Sequence, residues 1–334
     1  MKKVFSIFLC ALASIFLGMI IFSFTVKAPV RQDIVWGANF SQMYAENLGL
    51  DWKKMYLALM EDLGVKHIKL LAQWDWVEGA RDEFYFKDND WQIEQAKSHG
   101  VELIYTLGMK TGRWPECHVP GWATTLSKED QQEEILYYIA EVVKRYKKST
   151  AIVAWQAENE PLFNFGECPW YDKEFLKVEV ALIKSLDATR PVIISDSGEQ
   201  SLWWQAAKIG DIVGTTMYRK SWVHITDSIG FYMDFPLPPA SYWIKSELVK
   251  HLFGKKVINV ELQVEPWLRD VGYATSIGEQ EKTMDIRQFQ KNIAYAKQSG
   301  FDEFYLWGVE WMYWLKEGQG KPEIWNEAKK IFTD

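Results

Sequence analysis

Residues 151–161 read AIVAWQAENEP, and both the fold and the chemistry turn on how this run is parsed. Ala151 to Gln156 is short, uncharged and dominated by apolar side chains, the composition of a strand buried on both faces. It ends in Glu158-Asn159-Glu160 and is closed by Pro161, so an apolar strand passes directly into an acid-bearing end.

The same unit recurs on either side. Strands are predicted at Asp33 to Phe40, Val65 to Ala72 and Val101 to Leu107 before it. Further strands follow at Pro191 to Ser195, Asp211 to Met217, Lys256 to Leu262 and Phe301 to Gly308. Helical patterns separate them, over Trp52 to Leu63, Asp88 to His99, Tyr171 to Leu186, Leu202 to Ile209, Tyr242 to Phe253, Thr283 to Ser299 and Glu323 to Phe332. The clearest helix starts near Ser127, where Ile135, Leu136, Ile139, Val142, Val143 and Tyr146 recur at three- and four-residue spacing. Eight strands alternating with eight helices predict an α/β fold, a closed parallel (β/α)8 TIM barrel spanning residues 31–334 as one domain. In that architecture chemistry gathers at the C-terminal ends of the strands.

Residues 1–30 read differently. Met1-Lys2-Lys3 is followed by an uncharged run from Val4 to Val26, long enough as a helix to span the roughly 30 Å hydrocarbon core of a bilayer. Val26-Lys27-Ala28 followed by Pro29 makes a poor cleavage site, so a single uncleaved N-terminal transmembrane signal anchor is expected, with the barrel extracytoplasmic. Cleavage of the same segment would give a secreted protein. The net charge of −7 argues against nucleic acid as a partner. Eighteen tryptophans, 15 tyrosines and 18 phenylalanines exceed what a core of this size needs. Flat aromatic faces pack well on sugar rings, and the clusters Trp74/Trp76, Trp203/Trp204 and Trp307/Trp311/Trp314 suggest a lined cleft. A carbohydrate is therefore the expected partner, bound by a monomer.

The acids sharpen that expectation. The fourth strand ends in Glu160. The seventh ends in Val260-Glu261-Leu262-Gln263-Val264-Glu265-Pro266-Trp267, so Glu160 and Glu261 can converge across the barrel mouth. Cleavage of a glycosidic bond needs two carboxyl groups flanking it. Asn159-Glu160-Pro161 resembles the Asn-Glu-Pro motif of clan A glycoside hydrolases, and the whole layout looks closest to family 5, the cellulase and mannanase family. The strand-seven segment is also similar to that of family 42 β-galactosidases. The resemblance implies a retaining β-glycosidase with Glu160 as acid/base and Glu261, 101 residues later, as nucleophile. Glu265 is the rival for the second role, and Glu158 is expected to be paired structurally. The same resemblance implies that Asn159 meets the sugar 2-hydroxyl, that Tyr218 hydrogen-bonds the nucleophile and that Trp307 floors the subsite of the reacting sugar. Trp74, Trp114 and Trp311 complete the expected substrate-binding set. The sequence departs from family 5 where Lys69 replaces the usual strand-two arginine. Arg113-Trp114-Pro115-Glu116-Cys117-His118 likewise stands in place of a plain His-Trp after strand three.

Cys117 and Cys168 fall in the loops after strands three and four and are candidates for a disulfide across the cleft. His118 lacks a clustered partner for a metal, and neither metal nor cofactor is expected. Asn39-Phe40-Ser41 is a formal glycosylation sequon, but at the end of the first strand Asn39 is expected to face the cleft. Two rivals share this layout: an anchored carbohydrate-binding protein that has lost turnover, and a transglycosylase of cell-surface polysaccharide assembly.

Overall fold

The computed structural model describes residues 24–225, 229–269 and 275–333, preceded by Ser14, Gly18, Ile21 and Phe22. The expected anchor at residues 4–26 therefore lies mostly outside the described residues. Among the described residues no helix is long and apolar enough to cross a membrane.

Eight parallel strands close a barrel: β1 (Val35–Phe40), β2 (His67–Leu71), β3 (Glu102–Leu107), β4 (Ile152–Ala157), β5 (Val192–Asp196), β6 (Ile212–Met217), β9 (Lys256–Gln263) and β10 (Glu303–Trp307), with β10 pairing back onto β1. Between β6 and β9 lies an antiparallel hairpin, β7 (Lys220–His224) and β8 (Gly230–Asp234). It occupies part of Ser221 to Ala240, which reads in the sequence as a loop. A helix at Val309–Gln319, inserted between β10 and the closing helix Glu323–Thr333, is likewise additional to the eight expected.

The barrel interior changes character along each strand with the two-residue period of a pleated chain. Ile104, Ala154, Ile193, Ile258, Val260 and Tyr305 form an apolar plug. A Cβ on Gly37 would stand 2.6 Å from the Tyr305 ring, so only glycine leaves room there. Two residues further along β3, β4 and β5 come Thr106, Gln156 and Ser195, and the same upper level holds Asn39, Lys69, Thr216 and Glu261, all buried. The mouth is thus polar by construction, above a dry plug.

The helix Lys128–Tyr146 illustrates how the outer layer is fixed. The Ser127 hydroxyl caps it by accepting from the Asp130 amide at 3.1 Å, with Glu129 and Asp130 in its first turn and Lys144 and Arg145 in its last. Ile135, Tyr138, Ile139, Val142, Val143 and Tyr146 are buried on one face. Ile139→Ala is expected to lower unfolding stability by about 2–5 kcal/mol, measured by chemical denaturation; a loss below ~1 kcal/mol would show that this face does not anchor the helix.

Candidate active site

The segment after β4 is held in an unusual backbone conformation. Glu158 and Glu160 have φ of 59° and 45°, a region costly for residues with a Cβ. Several contacts over-determine it. The Asn159 amide donates to Lys110 O at 2.5 Å, the Glu158 amide to Leu107 O at 2.9 Å and the Glu160 amide to Ser195 Oγ at 2.8 Å. The Glu158 carboxylate accepts from the Met109 and Lys110 amides at 2.7 and 3.2 Å, which places it behind the site in a structural role. Lys110 Nζ donates to Glu160 O and Phe163 O at 3.0 and 2.8 Å. These bonds turn Glu160 into the mouth, where its Oε1 accepts from Thr216 Oγ1 at 3.1 Å.

Glu261 sits in a different environment. Its Oε1 accepts from Lys69 Nζ at 3.0 Å and its Oε2 from the Tyr218 hydroxyl at 2.8 Å. Lys69 Nζ also donates to Asn159 Oδ1 at 2.9 Å. Gln156 Nε2 donates to that oxygen at 3.2 Å, leaving the Asn159 Nδ2 group free of this pair. Lys69 thus supplies the cation where the family 5 pattern has arginine. Burial, reinforced by the charge of Glu261 and then of Glu116 and Glu199, holds the Glu160 carboxyl well above the usual carboxylate range, with Lys110 opposing.

Glu265 is engaged elsewhere. Arg113 Nη1 donates to Glu265 Oε1, and Arg113 Nη2 donates to Glu310 Oε2 at 2.7 Å. The guanidinium lies 3.9 Å from the Tyr44 ring centroid and 4.2 Å from that of Trp307. Trp307 is thereby fixed beside Asn159. A Cβ on Gly112 (φ 89°) would meet Trp307 Cη2 at 3.2 Å and Asn159 Nδ2 at 3.3 Å.

Two of the expected sugar-stacking residues are not in the cleft. Trp74 is 0 % exposed, its Nε1 donating to Glu78 at 2.8 Å, and it packs against Trp122 and Tyr138. Trp311 is 1 % exposed and donates to Gln280 at 2.6 Å. Both are core residues of helices that cover the barrel, and Trp203 is equally buried. Asn39 also departs from the expectation, lying inside the barrel with its amide on backbone carbonyls. Trp114, by contrast, is 57 % exposed and packs on Phe165, which contacts Trp267, which meets Tyr218 edge-on at 4.8 Å. This aromatic run leads from Glu261's partner to solvent.

Phe165 and Trp267 are absent from the expected set, as are Glu116 and Glu199. Glu116 is pushed up to about 7, mainly by burial, with Lys110 opposing and Glu261 reinforcing. Glu199 accepts from the Tyr242 hydroxyl and the Tyr218 amide, both at 2.7 Å, and burial raises it too. Glu199 and Trp267 lie close to the ends of β5 and β9, the one sequence signal that could have found them, whereas Glu116 and Phe165 lie deeper in the loops after β3 and β4. Among the described residues no group of three or more His, Cys, Asp and Glu could hold a metal ion.

Cys117 and Cys168 form a disulfide that joins the loops carrying Trp114 and Phe165. Replacing both cysteines by serine, which opens a 51-residue separation, is expected to cost about 2–4 kcal/mol of stability. Thermal unfolding with and without a thiol reductant checks it; an unchanged midpoint would contradict it.

The profile of glycosyl hydrolase family 10 matches residues 68–330. Among curated proteins, the "Probable mannan endo-1,4-beta-mannosidase A" of Aspergillus clavatus is 32% identical over 123 residues, covering 33% of this chain and 32% of that protein. The "Mannan endo-1,4-beta-mannosidase A" of Emericella nidulans is 28% identical over 132 residues, covering 36% and 33%. The chain thus spans about a third of the length of the curated relatives it matches. Among solved structures, an endo-beta-1,4-xylanase of family 10 from Gloeophyllum trabeum superposes with TM-score 0.59 at 14% identity, covering 91% of this chain and 97% of that one. A GH5_18 protein from Bifidobacterium longum subsp. longum, in complex with Manb1-4GlcNAc, gives 0.60 at 12% identity, covering 90% and 78%. At such identities the likeness shows the fold alone. The family 10 profile and the mannosidase relatives bear out the clan read from Asn159-Glu160-Pro161, while solved structures of families 5 and 10 share the fold, so the layout does not separate the two.

Proposed function

The chain belongs to glycosyl hydrolase family 10, within clan A, and from that premise we propose that it hydrolyses a β-linked polysaccharide of the mannan or xylan type by double displacement. One observation carries the reading: the two acids at the mouth have opposite surroundings. Glu261 is bonded by an ammonium and a phenol. Among the described residues Glu160's carboxyl accepts from the neutral Thr216 hydroxyl, and burial and neighbouring anions favour its protonated form. Paired carboxyls in such unlike surroundings divide into nucleophile and acid.

In the first step Glu261 Oε attacks the anomeric carbon, and the glycosidic C–O bond breaks as Glu160 delivers its proton to the leaving oxygen. A glycosyl ester on Glu261 results. In the second step Glu160, now ionised, takes a proton from water whose oxygen displaces Glu261, restoring both groups. Asn159, its Oδ1 held by Lys69 and Gln156, offers its Nδ2 to the sugar 2-hydroxyl. Trp307 supports the ring, and Trp114, Phe165 and Trp267 extend the wall along the chain. The mannan and xylan preference rests on the relatives' printed activities. An extracytoplasmic, membrane-anchored setting is part of the proposal, supported by the disulfide and by the uncharged run at residues 4–26.

The full-length chain, assayed on β-linked mannan, xylan, glucan and galactoside, is expected to cleave one of them. Glu160→Ala and Glu261→Ala should each lose at least ~10³-fold in kcat/KM, the scale of removing an essential proton-transfer or nucleophilic group. Glycan binding without cleavage in the unmutated chain would replace this reading with the binding protein. Longer oligosaccharides as the main product would favour the transglycosylase.

A pH profile adds a signed check. Glu160 must be protonated to act, so kcat/KM falls as pH rises through its pKa. The Glu116 charge raises that pKa, so Glu116→Gln should move the basic limb to lower pH. A limb that stays put or moves up would remove Glu116 from the electrostatics of the site.

A further inference from the structure

Strict alternation along β9 would misplace Glu261. Ile258 and Val260 both belong to the plug inside the barrel, so the next residue should point outward, toward the helices. The register explains why it does not. Against β6, Thr215 pairs with Asn259 but Thr216 with Glu261; against β10, Phe304 pairs with Asn259 but Leu306 with Leu262. Both neighbours see one extra residue in β9 between Asn259 and Leu262, a β-bulge, which re-aims the side chain that follows it. That extra residue brings the Glu261 carboxylate to Lys69 and Tyr218.

A bulge breaks the ladder and leaves backbone groups without strand partners. Inside a dry barrel each such group is costly unless bonded. Two buried asparagines meet the need. Asn39 Nδ2, on β1, donates to Val260 O at 2.9 Å, reaching past β10, with Leu306 O at 3.2 Å and Tyr305 O at 3.4 Å beside it. Asn259 Nδ2 donates to Thr215 O at 3.0 Å and to Glu261 O at 3.2 Å. Both side chains are essentially without exposure.

We propose that Asn39 and Asn259 are positioning residues, an amide clamp that holds the β9 bulge and through it aims Glu261 at the reacting carbon. This rests on the reading of Glu261 as nucleophile. The clamp acts on placement alone, so its loss falls on the glycosylation step, with substrate binding by the aromatic wall retained. A displacement on the order of 1 Å at the reacting carboxylate costs about 100-fold in rate.

The test uses the full-length chain with Asn39→Leu, Asn259→Leu and the double substitution. Asn39→Asp and Asn259→Asp, which keep size but lose the Nδ2 donor, carry the same comparison if the leucine variants fail to fold. Crystal structures report whether Glu261 keeps its bond from Tyr218. Activated 2-deoxy-2-fluoro β-glycosides of mannobiose and xylobiose report the rate and the site of covalent labelling. Expected are a lost Tyr218 contact and labelling slowed about 100-fold at nearly unchanged apparent affinity. Because both amides act on one bulge, the double variant should be little slower than the worse single one. A folded variant with Glu261 unmoved, or labelled at the unmutated rate, overturns the clamp. Independent, multiplying losses in the double variant also overturn it. If the unmutated chain is labelled elsewhere than Glu261, or not at all, the nucleophile assignment fails instead, and the crystal structures alone decide whether the amides hold the bulge.

Discussion

Lys69 and Glu261 form an ion pair inside the barrel mouth, with side-chain exposures of 0 % and 2 %. Removing either charge would leave the other buried without its counter-ion, a loss of several kcal/mol. Much of the upper barrel serves this pair. Asn159 receives a second Lys69 donor, Tyr218 takes the free carboxylate oxygen, and the Trp307 ring lies 5.6 Å from the ammonium. A compact ammonium in place of a guanidinium gives up the fixed bidentate fork. It can still divide its donors between an amide and a carboxylate lying in different directions.

A second ionic cluster supports the first. Arg113 is clamped by Glu265 and Glu310 and lies between Tyr44 and Trp307. Its carboxylates are thus committed to holding a residue that holds the tryptophan. Glu265 is thus bound to Arg113, although it lies only four positions beyond Glu261. The loop that brings Arg113 there starts just beyond β3, and the disulfide ties it to the loop after β4.

The barrel was legible because its signals are repeated. Short apolar runs ending in polar residues, separated by helices with three- and four-residue spacing, recur eight times, and boundaries shift by only a few positions. The placement of candidate residues was legible where they stand at or near strand ends, as Glu160, Glu261, Tyr218 and Trp307 do. It was obscure where a residue depends on loop geometry. Trp74 and Trp114 are indistinguishable by composition, yet one sits on a short helix facing the core and the other on an exposed loop. The hairpin β7–β8 was missed because Pro236-Leu237-Pro238-Pro239 marks the whole stretch as irregular. The bulge in β9 leaves no trace in the apolar pattern, since Val257 to Leu262 reads as an unbroken strand apart from Asn259 and Glu261.

The bridge between Cys117 and Cys168 also bears on when the cleft is complete. The two loops it joins carry Trp114 and Phe165, and neither loop belongs to a strand or a long helix that would hold it alone. Thiol pairs of this kind stay reduced in a glutathione-poised compartment and close in an oxidising one. A chain in a reducing setting would have a finished barrel and an unfinished wall. Closing the bridge would then be the step that fixes the Trp114–Phe165 wall, and its timing would follow the redox state the chain meets.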